Sequence, residues 1–152
     1  MNPFTAKLRA CDAHDKFKER EHPSGFDQAQ RASIEEGAGQ LASFIEATFR
    51  DCTTEQYFPQ DASYVVRLIV FHTDREARAP LIEVVFSAFG RMVSVTPYDN
   101  RKASKDEHQK IIAFLEARDF VYIPRDILDS PYEGKYNYSA AFTWWNRFFS
   151  EL

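Results

Sequence analysis

The stretch YVVRLIVFHTDREARAPLIEVVFSAFGRMVSVTPY, residues 64–98, decides the fold, because here the hydrophobic period of the chain switches to two. YVVRLIVFHT (64–73) is rich in β-branched and aromatic residues and apolar on both faces, as expected of a strand inside a sheet. DREARAP is a charged turn. LIEVVFSAF (81–89) alternates, with Ile82, Val84 and Phe86 inward and Glu83 and Ser87 outward. Gly90 marks a tight turn, after which RMVSVTPY sets Val93 and Val95 against Ser94 and Thr96. Strands joined by loops this short form an antiparallel meander.

On the N-terminal side the period is helical. From about Gln28 to Asp51, Ile34, Ala38, Leu41, Ile45, Thr48, Phe49 and Cys52 fall on one stripe, opposite Glu35, Glu36, Ser43, Glu46 and Arg50. Cys52 therefore reads as a core thiol. Gly37 and Gly39 each cost such a helix about 1 kcal/mol relative to Ala. Gly37 borders the apolar stripe, where close approach of another backbone would explain it; Gly39 has no such account. Further upstream, Asn2-Pro3 has the form of a helix start, and Phe4, Leu8 and Cys11 follow at helical spacing. That helix ends before Pro23, and HPSG is a loop.

On the C-terminal side, SKDE (104–107) reads as a capping box, Ser104 with Glu107, opening a helix that carries Ile111, Ile112, Phe114 and Leu115 to about Arg118. FVYIP (120–124) is a short fourth strand. RDILDSPYEGKYNYS is irregular, and a last helix starts near Ser139. In its projection Phe142, Trp145 and Phe149 form a core row, with Trp144 and Phe148 in a marginal second row and Arg147 on the opposite, polar side. The predicted order is α-α-β-β-β-α-β-α. This is an α+β domain spanning 1–152, in which 1–30 is an N-terminal helix and polar loop.

Composition narrows function more than it identifies one. The 152 residues carry a formal net charge of −4, which disfavours non-specific binding to nucleic acid or anionic membrane and suits a basic partner. The final helix offers no basic polar face for a membrane surface. Two cysteines, Cys11 and Cys52, make no disulfide framework. No apolar run approaches the length of a membrane span, and the N-terminus lacks a signal-peptide core, so the expected compartment is the cytoplasm.

Catalytic and metal motifs are absent: there is no GxSxG, Walker loop, GxGxxG or HExxH. His72 and Asp74 are two apart and share a face if the strand continues, Glu76 could add a third ligand, and His108 could serve as a base. A metal-dependent hydrolase is thus the alternative reading, against the simpler one of a solvated turn and a neutral histidine near a helix N-terminus. Cys11, His14, Asp15 and His22 lack a zinc pattern and read as helix surface. Arg91, Arg101, Lys102 and Lys105 form a basic rim without interleaved aromatics. An RNA-binding or regulatory domain using that rim and an exposed sheet face is the third reading.

The segment DILDSPYEGKYNYS differs in kind. Tyr132, Tyr136 and Tyr138 alternate with Asp126, Asp129 and Glu133 on a loop shaped by Pro131 and Gly134. Tyrosine gives contact area at low entropic cost, and carboxylates steer a basic partner. The opposing reading is a structural loop whose tyrosines pack on the aromatic helix. The run YIPRDILDSPYEGKYNYSAAFTWWNRFF (122–149) resembles the ends of small bacterial immunity proteins that neutralise toxins of polymorphic or contact-dependent systems. The resemblance implies a cytoplasmic, non-enzymatic protein that binds and blocks a cognate toxin, and no cofactor is expected. The expected contact residues are Asp126, Asp129, Tyr132, Glu133, Tyr136 and Tyr138, with Asp74 and Glu76 from the charged turn.

Overall fold

The computed structural model describes residues 2–14, 28–49, 51–57, 65–72, 80–87, 91–98, 102–134 and 141–149. Helices α1 (Pro3–His14) and α2 (Gln28–Thr48) precede four strands: β1 (Cys52–Tyr57), β2 (Val65–His72), β3 (Pro80–Ser87) and β4 (Met92–Pro97). Then come α3 (Lys102–Glu116), β5 (Val121–Tyr122), α4 (Arg125–Leu128) and α5 (Trp144–Phe148). The class is α+β, as expected. The sheet order is β1-β2-β3-β4-β5. The first four strands pair antiparallel, while β5 lies parallel to β4 through Met92–Val121 and Val93–Tyr122. A parallel neighbour needs a crossover, and α3 supplies it.

Local chemistry explains the helix ends. The Asn2 side chain accepts a hydrogen bond from the Phe4 amide at 2.8 Å, the expected cap of α1. Helix α3 leaves through Asp119, at φ 65°, with the Phe120 amide bonded back to the Leu115 carbonyl at 3.1 Å. Its start is corrected: the helix begins at Lys102, so Ser104 lies inside it and is not the capping residue.

Side-chain alternation sorts the sheet into two faces. On one, Val66, Leu68, Val70, Ile82, Val84, Phe86, Val93 and Val95 pack against the buried stripes of α2 and α3. On the other, Val65, Val85 and Met92 pack with Leu8 of α1, Leu128 of α4 and Trp144, Phe148 and Phe149. Ser87 and Ser94, expected outward, are buried on that second face, and the Ser87 hydroxyl donates to the Phe148 carbonyl at 2.7 Å. The exposed sheet face needed by the RNA-binding reading is therefore covered over these residues.

The strand β1 escaped the sequence reading, which ran the preceding helix on to Asp51. CTTEQY is polar apart from Cys52, and Cys52 happens to continue the helical stripe of Ile45 and Phe49. The helix ends at Thr48 and Cys52 opens β1, paired with His72. It is a core thiol as expected, but on a strand. As an edge strand, β1 needs only one apolar anchor and protection of its outer amides. The Glu46 carboxylate provides some of that protection, accepting from the Thr54 amide at 3.1 Å and the Thr54 hydroxyl at 2.9 Å.

The aromatic terminus is also corrected. Its helix starts at Trp144, not near Ser139, and Trp144, Phe148 and Phe149 are buried while Phe142 and Trp145 are half-buried. The row read as marginal is thus fully buried, while of the row read as core Phe149 alone is. The reason is that only five residues are helical: Phe142 precedes the helix, so the projection that grouped it with Trp145 does not apply. Within the helix, Trp144–Phe148 and Trp145–Phe149 are parallel i,i+4 ring pairs, with centroids 6.0 and 4.9 Å apart.

Candidate partner-binding loop

Residues 124–134 leave β5 and return to α5, and their backbone is held at both ends. Pro124 stops β5 and precedes the single turn of α4, whose Leu128 enters the second core. Beyond it, the chain runs back against residues 142–144. The Trp144 amide donates to the Ser130 carbonyl at 3.3 Å, the Tyr132 amide donates to the Phe142 carbonyl at 2.9 Å, and Pro131 bridges Thr143. Thr143 then caps α5. Its hydroxyl accepts from the Asn146 amide at 3.2 Å, and the Asn146 side-chain oxygen accepts from the Thr143 amide at 2.9 Å.

Beneath the loop lies a buried polar centre. Asp12 of α1 and Arg147 of α5 are each 1% exposed, and the Arg147 Nε donates to the Asp12 carboxylate at 3.0 Å. The Tyr132 hydroxyl donates to the same carboxylate, 2.9 and 2.8 Å from its two oxygens. Its ring packs edge-on against Trp144 and Phe142, at 4.7 and 5.7 Å. Gly134 sits so close to Asp12 and the Tyr132 phenol that any Cβ there would overlap both. One turn before Asp12, Arg9 pairs with Glu133 at the surface.

The outward face carries charge of both signs. Asp126, Asp129 and Glu133 are exposed. Asp129 accepts from the Arg125 Nε at 2.9 Å, and the Arg125 guanidinium lies 3.5 Å from the centre of the Trp145 ring. Glu133 is paired with Arg9. No ion pair is formed by Asp126 among the described residues. Its charge acts on Tyr122, whose phenol is pushed up first by burial, then by Asp126 and Glu116. The surface can therefore offer carboxylates to a cationic partner, two of them already oriented by arginines. Of the expected contact residues, Asp126, Asp129, Tyr132 and Glu133 come together here, with Tyr132 turned inward onto the aromatic helix. Tyr136, Tyr138, Asp74 and Glu76 lie outside the described residues.

The residues of the other readings are engaged differently. The His108 Nε2 is 2.9 Å from the Val95 carbonyl, which requires a proton on that nitrogen, and its ring meets Tyr122 edge-on. His72 closes β2 with Nδ1 3.4 Å from the Asp51 carbonyl. Burial, then the Asp12 charge, pushes the Cys11 thiol up, disfavouring the thiolate a metal or nucleophilic role would need. No group of three or more potential metal ligands converges among the described residues. Arg91 is a structural clamp: it sits at φ 54°, donates to Ser33 Oγ at 2.7 Å and to the Arg118 carbonyl at 2.8 Å, and covers the Phe120 ring. Arg101 lies outside the described residues, and no helix is long and apolar enough to cross a membrane among those that are described.

Sequence reasoning missed Asp12 and Arg147. Asp12 had a readable signal, lying four residues after Leu8 on the buried side of its helix. Arg147 had none, because its partner lies 135 residues away. Two half-exposed tyrosines were missed as well: Tyr57 bonds Glu55, and Tyr98 bonds Glu83, on the second face of the sheet. Comparison with protein-family models, with curated proteins and with solved structures yields no match.

Proposed function

We propose that this chain is a non-enzymatic binding protein of the immunity type, which occludes the active surface of a cognate toxin domain. One observation carries the reading: Asp126, Asp129 and Glu133 are exposed on a segment whose backbone is tied down before a partner arrives. A loop ordered in advance loses little entropy on binding, and its carboxylates steer a basic surface into register. Against a nuclease, whose active site is basic, these carboxylates would occupy phosphate positions. The resemblance of residues 122–149 to the ends of bacterial immunity proteins supports the same reading.

The experiment is protection in a host cell. The candidate toxin domain encoded by the neighbouring reading frame is induced with and without this chain, and the two proteins are then co-purified. Restored growth together with a stoichiometric complex is the expected result. Unprotected growth with no complex would remove the immunity reading.

A further inference from the structure

Asp12 and Arg147 are the two buried charged side chains among the described residues. They come from distant parts of the sequence, and the loop of the proposed binding surface packs over their direct ion pair. The Asp12 carboxylate accepts from Tyr132 on the loop and from Arg147 just after it, while Arg9 reaches Glu133 from the same face of α1. Gly134 allows the loop to pass directly over this carboxylate. We infer that Asp12 is the positioning residue of the loop, so that docking of α1 and the binding-ready shape of residues 130–134 are coupled. The inference rests on the reading above only in taking this loop as the binding surface.

The coupling follows from what a buried charge requires. With α1 in place, the guanidinium of Arg147 and the hydroxyl of Tyr132 bond a desolvated carboxylate, a stronger arrangement than a neutral hydrogen bond. Without α1, both groups lose that acceptor, and the loop loses one of the ties that hold Tyr132 down, the one its hydroxyl makes. Reciprocity then applies: a partner that binds the ordered loop also stabilises α1, without touching it. The N-terminal helix thus acts as a clasp whose state the partner reads through the loop.

Hydrogen exchange on the free full-length protein tests this. In Asp12→Asn, the amides of Tyr132 and Trp144, which close the loop, should exchange about ten- to a hundredfold faster, as loss of a charged hydrogen bond implies. The sheet amides of Tyr98 and Val121, bonded to Leu81 and Arg91, should keep their protection. Equal acceleration of all four would make Asp12 an ordinary core residue and overturn the inference, and so would no change at any of them. Tyr132→Phe leaves the Asp12–Arg147 pair in place and removes one donor. It should accelerate the same two amides by a smaller factor, and it decides by the same criterion if Asp12→Asn fails to fold. Because these measurements need no partner, a coupled loop with no toxin to bind would leave the clasp standing and remove only the immunity reading.

Discussion

At the scale of single residues, two glycines two positions apart in α2 answer differently to the same substitution. A Cβ at Gly37 would stand 2.5 Å from the Phe120 ring, whereas one at Gly39 would meet nothing within 4 Å. The close approach anticipated at Gly37 is real, although it is made by an aromatic ring and not a backbone. Gly39→Ala should therefore stabilise the protein by about 0.5–1 kcal/mol, and Gly37→Ala should destabilise it, both measured by urea unfolding. Glu107 offers a test in pH. Its carboxyl is held above the usual range by burial, with Asp106 adding to the effect and His72 and Lys110 opposing it. The folded state then holds the proton more tightly than the unfolded chain. Stability falls as pH rises from the ordinary carboxylate pKa through the raised folded value, and the loss is complete above it. Glu107→Gln should raise Tm at pH 7 and leave it nearly unchanged below about pH 4. An equal shift at both pH values would exclude titration of Glu107 as the cause.

At the scale of elements, the shortest pieces depend most on their ends. Helix α5 has five residues, too few to persist on propensity alone. It is held by burial of Trp144 and Phe148 and by the reciprocal bonds of Thr143 and Asn146. Thr143→Ala should cost about 1 kcal/mol in chemical denaturation, while Thr143→Ser should retain most of the stability. A loss equal for both variants would assign the effect to the threonine methyl and not to the cap. Strand β1 shows a related dependence at the sheet edge, where a carboxylate from α2 satisfies an amide that no strand pairs. Both elements were hard to read in sequence for the same reason: a short segment carries few residues of any period, so its ends decide it.

At the scale of the whole molecule, the sheet separates two bodies of packing with different roles. The α2–α3 side is a conventional core. The other side joins the N-terminal helix, the loop and the C-terminal helix around one buried ion pair. Replacing such a pair by apolar groups can be neutral or better, whereas removing one partner strands a buried charge. If the proposed toxin partner is the right one, Asp126→Lys with Glu133→Lys should slow its association by more than about tenfold at low salt, with a smaller effect on dissociation. Unchanged association kinetics in stopped flow would remove the loop from the encounter.

The amino-acid sequence by itself determined the α+β class, the strands β2, β3 and β4, the cap at Asn2 and the apolar stripes of α2 and α3. These follow from side-chain period and local bonding, which are properties of neighbours along the chain. Of the candidate site, the exposed carboxylates at 126, 129 and 133 were legible as a charge pattern. Their arginine partners, the inward turn of Tyr132 and the burial of Arg147 were not. Arg147 read as solvent-facing because the helical projection set it with Asn146 opposite the aromatic rows. Only the tertiary structure decided that α1 comes back across the loop to place Asp12 beside it. The burial of that pair depends on a contact between the two ends of the chain, and no local pattern encodes such a contact.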